Sequence, residues 1–299
     1  MRKLNQIQQK TLNPMLNSIK LHSGLLTGLL ISAGTALFAQ LPDGTKTTGE
    51  WIDEVEKIRT EEGKLLYNEA SLYNTARLSI VAYIVMDAEG MANCSEDDIN
   101  AGVNRLNSYF KTINVTFDLK PVQYVNDYNY CNIHNEEDTH ELVKKHSTAG
   151  TINLYLVDSI AIDSVLRYGF TFFPIDTARN YIFLGKEFIL ENYLTTLMGH
   201  FFGLLSTHDT LGGYELVNED NCTESGDFLC DTWADPNLFA MVDTSCVYNG
   251  VLVDPGGEIY VPSVANLMSE SYDGCKCIFT PHQYRRMLYC LKKYRYYLR

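Results

Sequence analysis

Histidine, cysteine and the carboxylates are the side chains here that could hold a metal or move a proton, and one of them sits in an unexpectedly apolar place. His200 lies within residues 188–205, where Leu190, Leu194, Leu197, Met198, Phe201, Phe202, Leu204 and Leu205 make the pattern hydrophobic almost all round. That pattern predicts one long, buried helix. A zinc hydrolase needs two histidines four residues apart on one helix face, with a glutamate beside the first as general base. His140-Glu141-Leu142-Val143-Lys144-Lys145-His146 begins in that way, but Lys144 stands where the second histidine must be. His140 and His146 would leave an α-helix on different faces, so this stretch reads as a solvated polar helix. The sequence contains no nucleophile elbow and no phosphate loop.

The elements that must position His200 follow from periodicity. Trp51, Ile52, Val55 and Ile58 recur at helical spacing over residues 49–62. Residues 78–86 form a continuous apolar run, as in a strand buried on both faces. Ser95 and Asp98 form an acidic variant of the capping box, opening a helix with Ile99, Val103, Leu106 and Phe110 along one side. Strands are predicted at 113–119, where Val115, Phe117 and Leu119 alternate with polar residues, and at 151–157. This order argues for an α+β fold, a mixed sheet with helices packed on it. Residues 209–263 are rich in Gly, Asp, Asn and Cys and read as a loop region tied by disulfides. Thr280-Pro281-His282-Gln283 then starts a final helix with Thr as N-cap, Pro in the first turn and Gln closing a capping box.

Three blocks resemble the pappalysin-type metzincins. Thr195-Thr196-Leu197-Met198-Gly199-His200-Phe201-Phe202-Gly203-Leu204-Leu205-Ser206-Thr207-His208 is similar to the HExxHxxGxxH helix of that family, in register through His200 and Gly203. Asn266-Leu267-Met268-Ser269 resembles the Met-turn, and Phe279-Thr280-Pro281-His282-Gln283 with Arg286-Met287 the segment after it. Between them, Asn221-Cys222, Gly226-Asp227 and Cys230-Asp231-Thr232-Trp233-Ala234-Asp235-Pro236 look like the family's Cys-rich connection. The resemblance covers residues 76–299 and implies a metzincin-like (zincin) domain: a mixed twisted sheet, a buried active-site-type helix, a Met-turn and a disulfide-tied C-terminal half.

Family chemistry is peptide hydrolysis, in which zinc polarises a water and glutamate takes its proton. A tyrosine two residues after the Met-turn methionine stabilises the intermediate. In this sequence the first His position is Thr196, the Glu position Leu197, the third His position Ser206 and the Tyr position Glu270. Only His200 is kept, and one histidine falls short of the three protein ligands that catalytic zinc requires. Gly203 and Met268 keep their structural places. The resemblance therefore implies a pseudopeptidase whose inherited cleft binds a protein or peptide. Two rivals stay open: an active zinc peptidase with His208 and Glu270 as substitute ligands to His200, and an envelope-anchored structural protein. The family's connection also holds calcium, and Asp227, Asp231 and Thr232 have a spacing that fits calcium and fits an Asx-rich turn equally well.

All eight cysteines lie beyond residue 39, an even count that in an exported chain reads as disulfides. At least two bridges are expected among Cys222, Cys230, Cys246 and the Cys275/Cys277 pair. Residues 1–39 carry Arg2, Lys3, Lys10 and Lys20 without an acidic residue, then an apolar run over 24–38 closing on Ala39. That succession is a secretory signal peptide, since a run of about 15 residues is short of the roughly 20 that span a bilayer. Residues 40–75 read as an N-terminal helical segment, a pro-segment remnant or part of the fold. Without the leader's four cations, 20 of the 24 Lys and Arg remain against 37 Asp and Glu. So acidic a chain excludes nucleic acid as partner. The basic cluster Arg285, Arg286, Lys292, Lys293, Arg295 and Arg299 is expected to complement the last helix's C-terminus.

Overall fold

The computed structural model describes residues 41–65 and 75–298, with no side-chain account of 60–65. The expected leader, residues 1–39, lies outside them. The described residues belong to one compact unit. In chain order its principal elements are helix α1 (Gly49–Leu65), strand β1 (Ala76–Val85), helix α2 (Glu96–Phe110), strands β2 (Val115–Leu119), β3 (Gln123–Val125) and β4 (Asn132–Ile133), and helix α3 (Asp138–His146). Strands β5 (Ile152–Val157), β6 (Ser159–Ile162), β7 (Val165–Arg167), β8 (Gly169–Thr171) and β9 (Tyr181–Gly185) follow, then helices α4 (Tyr193–Phe201) and α5 (Pro281–Lys293).

The main sheet runs β2-β1-β5-β9-β8, with β3 also paired to β1. All neighbours are parallel except β8, which is antiparallel to β9 and forms the edge. Side chains alternate across a strand, and this alternation divides the core. Leu78, Ile80, Ala82 and Ile84 of β1 and Leu154 and Leu156 of β5 face α2 and α4. Val81, Tyr83 and Val85, with Tyr155 and Phe183, pack on the other side against Leu142 of α3. Both faces of these strands are buried, which is why they read as unbroken apolar runs.

Both expected capping boxes are present: Ser95 and Asp98 cap α2, and Thr280 and Gln283 cap α5. Trp51, Ile52, Val55 and Ile58 of α1 are buried against Phe173, Leu205, Phe228, Tyr289 and Cys290, so this helix is built into the core. The bridges are Cys222–Cys230 and Cys246–Cys275, leaving Cys277 exposed and outside them. Each closes a loop with no helix or strand of length to hold it and stabilises by about 2–4 kcal/mol.

Two expectations are corrected. The helix predicted over 188–205 is only Tyr193–Phe201. A 3-10 turn, Lys186–Phe188, precedes it, and Leu190 is exposed in the turn between. Asn192 is fixed there by Asp273, whose Oδ2 accepts from its N–H at 2.9 Å. At the other end the chain turns at Gly203, φ +91°, where a Cβ would meet Cys290 Sγ at 2.6 Å and Trp51 Cζ2 at 2.8 Å. Only glycine fits that positive-φ, close-packed position. The second correction concerns the basic cluster. Arg286 and Arg295 are fully buried rather than placed at a solvated helix end. Arg286 donates to the carbonyls of Asp227 (2.6 Å) and Phe228 (3.0 Å). Arg295 donates to those of Phe172 (3.0 Å) and Phe201 (3.4 Å) and stacks over the Phe201 ring. The planar guanidinium fork is suited to such a role, tying α4 to the loops around it.

Candidate functional site

Helix α4 carries Thr196, Leu197 and His200, all buried, and packs against strands β8 and β9. Met268 lies beneath it: a Cβ on Gly199 would meet Met268 Sδ at 2.5 Å, so glycine there lets the turn 266–269 press against the helix. Asn266 Oδ1 accepts from the Met268 N–H (2.8 Å), and the Asn266 amide exchanges hydrogen bonds with the Gln283 amide (3.1 and 3.2 Å), docking this turn on α5.

His200 is 2 % exposed, and both ring nitrogens are engaged. Nδ1–H donates to the Leu204 carbonyl at 2.7 Å, and Nε2 stands 2.9 Å from Asp43 Oδ2. A carbonyl and a carboxylate both accept, so this is the arrangement of an imidazolium with two donors. Burial opposes charge on each partner, but the Asp43–His200 attraction and their shared hydrogen bond prevail: His200 is raised and Asp43 lowered from their ordinary values.

Asp43 belongs to a strap, residues 41–48, laid along the edge strand β8. The Gly44 N–H donates to the Gly169 carbonyl (2.8 Å), and Tyr168 N–H to the Pro42 carbonyl (3.3 Å). The strap thus covers a row of backbone groups that an edge otherwise exposes. Its carboxylate is further held by the Tyr168 hydroxyl (2.9 Å) and the Thr45 N–H (2.6 Å). Arg167 donates to its carbonyl (3.0 Å), while its N–H donates to Glu270 Oε1 (3.1 Å).

Two of the positions read from the sequence as replaced ligands or base are self-satisfied or apolar. Thr196 Oγ1 donates to the Leu267 carbonyl at 2.8 Å. Leu197 is packed onto β8, where a Cβ on Gly169 would meet its Cδ1 at 2.6 Å. Ser206, His208 and Glu270 line a cleft of about 560 Å³ together with Asp43, Arg167 and Phe239. His208 and Glu270 do not join His200 as a ligand set: among the described residues no three His, Cys, Asp or Glu side chains converge in a way that would hold a metal ion. These residues do not fit zinc: Thr196, Leu197 and Ser206 set no strong ligand beside His200, whose Nε2 is paired with Asp43.

In the connection, Asp227 and Thr232 come together, with Asp227 Oδ1 accepting from Thr232 Oγ1 at 2.8 Å. Asp231 does not join them; it accepts from Thr280 Oγ1 and the His282 N–H (both 2.8 Å) at the start of α5. A residue not expected from the sequence, Glu215, does. Both its carboxylate oxygens and Asp227 Oδ2 are buried without a hydrogen-bond partner. A Cβ on Gly226 would meet Glu215 Oε2 at 2.4 Å, so glycine makes room for the carboxylate. Burial first, and the neighbouring charge second, pushes Glu215 up to about 9; burial likewise pushes Asp227 up to about 7. Asp43 and Glu215 were both missed, because each stands in a loop outside any motif.

The layered sheet, the buried helix α4 and the turn beneath it give the chain a metzincin-like metalloprotease fold. It matches the solved structure of a Tannerella forsythia promirolysin mutant with a TM-score of 0.52 and 14% identity, over 86% of this chain and 96% of that one. In sequence it is similar to extracellular metalloproteases of Arthroderma benhamiae and Trichophyton verrucosum, each 25% identical over 283 residues, 91% of this chain and 98% of each relative. No protein-family model matches.

Proposed function

We propose that the chain is a secreted pappalysin-type pseudopeptidase, whose cleft binds a protein or peptide without cutting it. The observation that carries this reading is the engagement of His200: the one retained ligand position is an ion-paired structural residue. Leu197, at the general-base position, offers no proton acceptor to a water. Secretion is supported by the two disulfides and by relatives named as extracellular. No described helix is long and apolar enough to cross a membrane.

Calcium is the cofactor we propose, at Glu215 and Asp227, where a dication would neutralise two buried carboxylates and meet the oxygens that lack hydrogen-bond partners, both of Glu215 and Oδ2 of Asp227. Remaining ligands would come from hydroxyl or backbone oxygens, which suits a hard cation.

Digestion of casein and a broad peptide library tests the absence of catalysis. The unmodified chain is expected to leave both intact, with added zinc and with chelator alike. Chelator-sensitive cleavage that His200→Ala abolishes would instead establish the active enzyme with rearranged ligands.

A further inference from the structure

We infer that Lys276 supplies a fixed positive charge in place of a metal at this centre and keeps divalent cations out of it. The inference rests on reading Thr196, His200 and Ser206 as former ligand positions. Lys276 is 4 % exposed. Its Nζ lies 3.5 Å from Thr196 Oγ1, 3.3 Å from Asp273 Oδ1 and 5.0 Å from the centroid of the Tyr193 ring. It therefore stands on the face of α4 from which a first ligand would project.

The backbone around it is fixed. Lys276 N–H donates to the Asp273 carbonyl (3.1 Å), its own carbonyl accepts from Asn192 Nδ2 (3.0 Å), and the preceding residue is the bridged Cys275. An ammonium is strongly hydrated, so burying one is costly unless anions surround it. Here the anions are Asp273 beside it and Glu270 within electrostatic reach, and Glu270 in turn holds the strap through the Asp43 N–H. Two cations, Lys276 and His200, thus face carboxylates that a metal would otherwise have to balance.

Two consequences follow for a metal. An imidazole introduced at 196 would extend from the place now taken by the Thr196 side chain, directly toward the ammonium. A dication bound there would sit beside a buried like charge, where repulsion is far less screened than in water. Restoring the lost ligands is therefore not sufficient to restore the site.

The test compares full-length chains carrying Thr196→His, Leu197→Glu and Ser206→His with the same triple variant plus Lys276→Met. Zinc per chain after dialysis and the visible absorption of added cobalt are measured, and circular dichroism checks the fold. The triple variant is expected to bind at least about a hundredfold more weakly than the quadruple one. Lys276→Gln in the triple background repeats the comparison if Met does not fold, and Lys276→Arg should behave as lysine does. Equal binding with and without Lys276, or no binding once Lys276 is neutral, would overturn the inference. Zinc held by the unmodified chain would instead overturn the reading of the centre as degenerate, so the two failures are distinguishable.

Discussion

Asp43→Ala is expected to cost about 3–5 kcal/mol, because it leaves the His200 imidazole buried without its counter-charge. At roughly 2–4 °C per kcal/mol for a domain of this size, the melting temperature should fall by about 6–20 °C. The same change strips the Tyr168 hydroxyl and the Thr45 N–H of their acceptor, so His200 is not the only partner stranded. His200→Ala on top of Asp43→Ala should cost less than the two singles summed, since the second change removes the charge that the first left unpaired.

The pH dependence follows from the directions of the two shifts. His200 is raised, so its share of the stability is complete below its ordinary value of 6.5 and is lost as pH rises through the higher folded value. Asp43 is lowered, so its share is present above 3.8 and is lost as pH falls through the folded value. The gap between the unmodified chain and Asp43→Asn should therefore be widest between these ordinary values and narrow on either side. Thermal melts across that range check it; an unchanged melting temperature for Asp43→Ala would show that the pair contributes nothing.

The second large effect concerns Glu215 and Asp227. Without a cation both are raised carboxyls, so their contribution is complete below the unfolded carboxyl range and is lost as pH climbs toward about 7 and about 9. In chelator, stability should fall from pH 5 to pH 9. Calcium at about a hundred times its dissociation constant should return about 2.7 kcal/mol at pH 8. At pH 5, where protons compete for the same oxygens, it should return little. Glu215→Gln with Asp227→Asn should remove both the pH slope and the calcium response. A melting temperature indifferent to calcium at pH 8 would dismiss the proposed site.

What the sequence disclosed was local or periodic. Ser95 with Asp98, and Thr280 with Gln283, cap their helices through bonds three residues long, so residue type alone exposes them. The apolar runs of β1 and β5 report burial on both faces. The extent of α4 was not legible, because Leu190 fits the helical pattern yet faces solvent at a turn that Asp273, far along the chain, holds in place. For the same reason the partners of His200 were hidden. Asp43 stands in Leu-Pro-Asp-Gly and Lys276 between two cysteines, local contexts that give no sign of α4. Only tertiary packing brings them to α4. Arg286 and Arg295 were misplaced because a basic cluster at a helix end gives no sign of which guanidinium turns inward toward carbonyls.

The most direct test of the central claim is the zinc content of the purified, unmodified chain after equilibration with micromolar zinc and gel filtration. With His200 bonded at both nitrogens, zinc should be far below stoichiometric. About one zinc per chain, lost on His200→Ala, would contradict the account, because it would show that His200 is still a metal ligand.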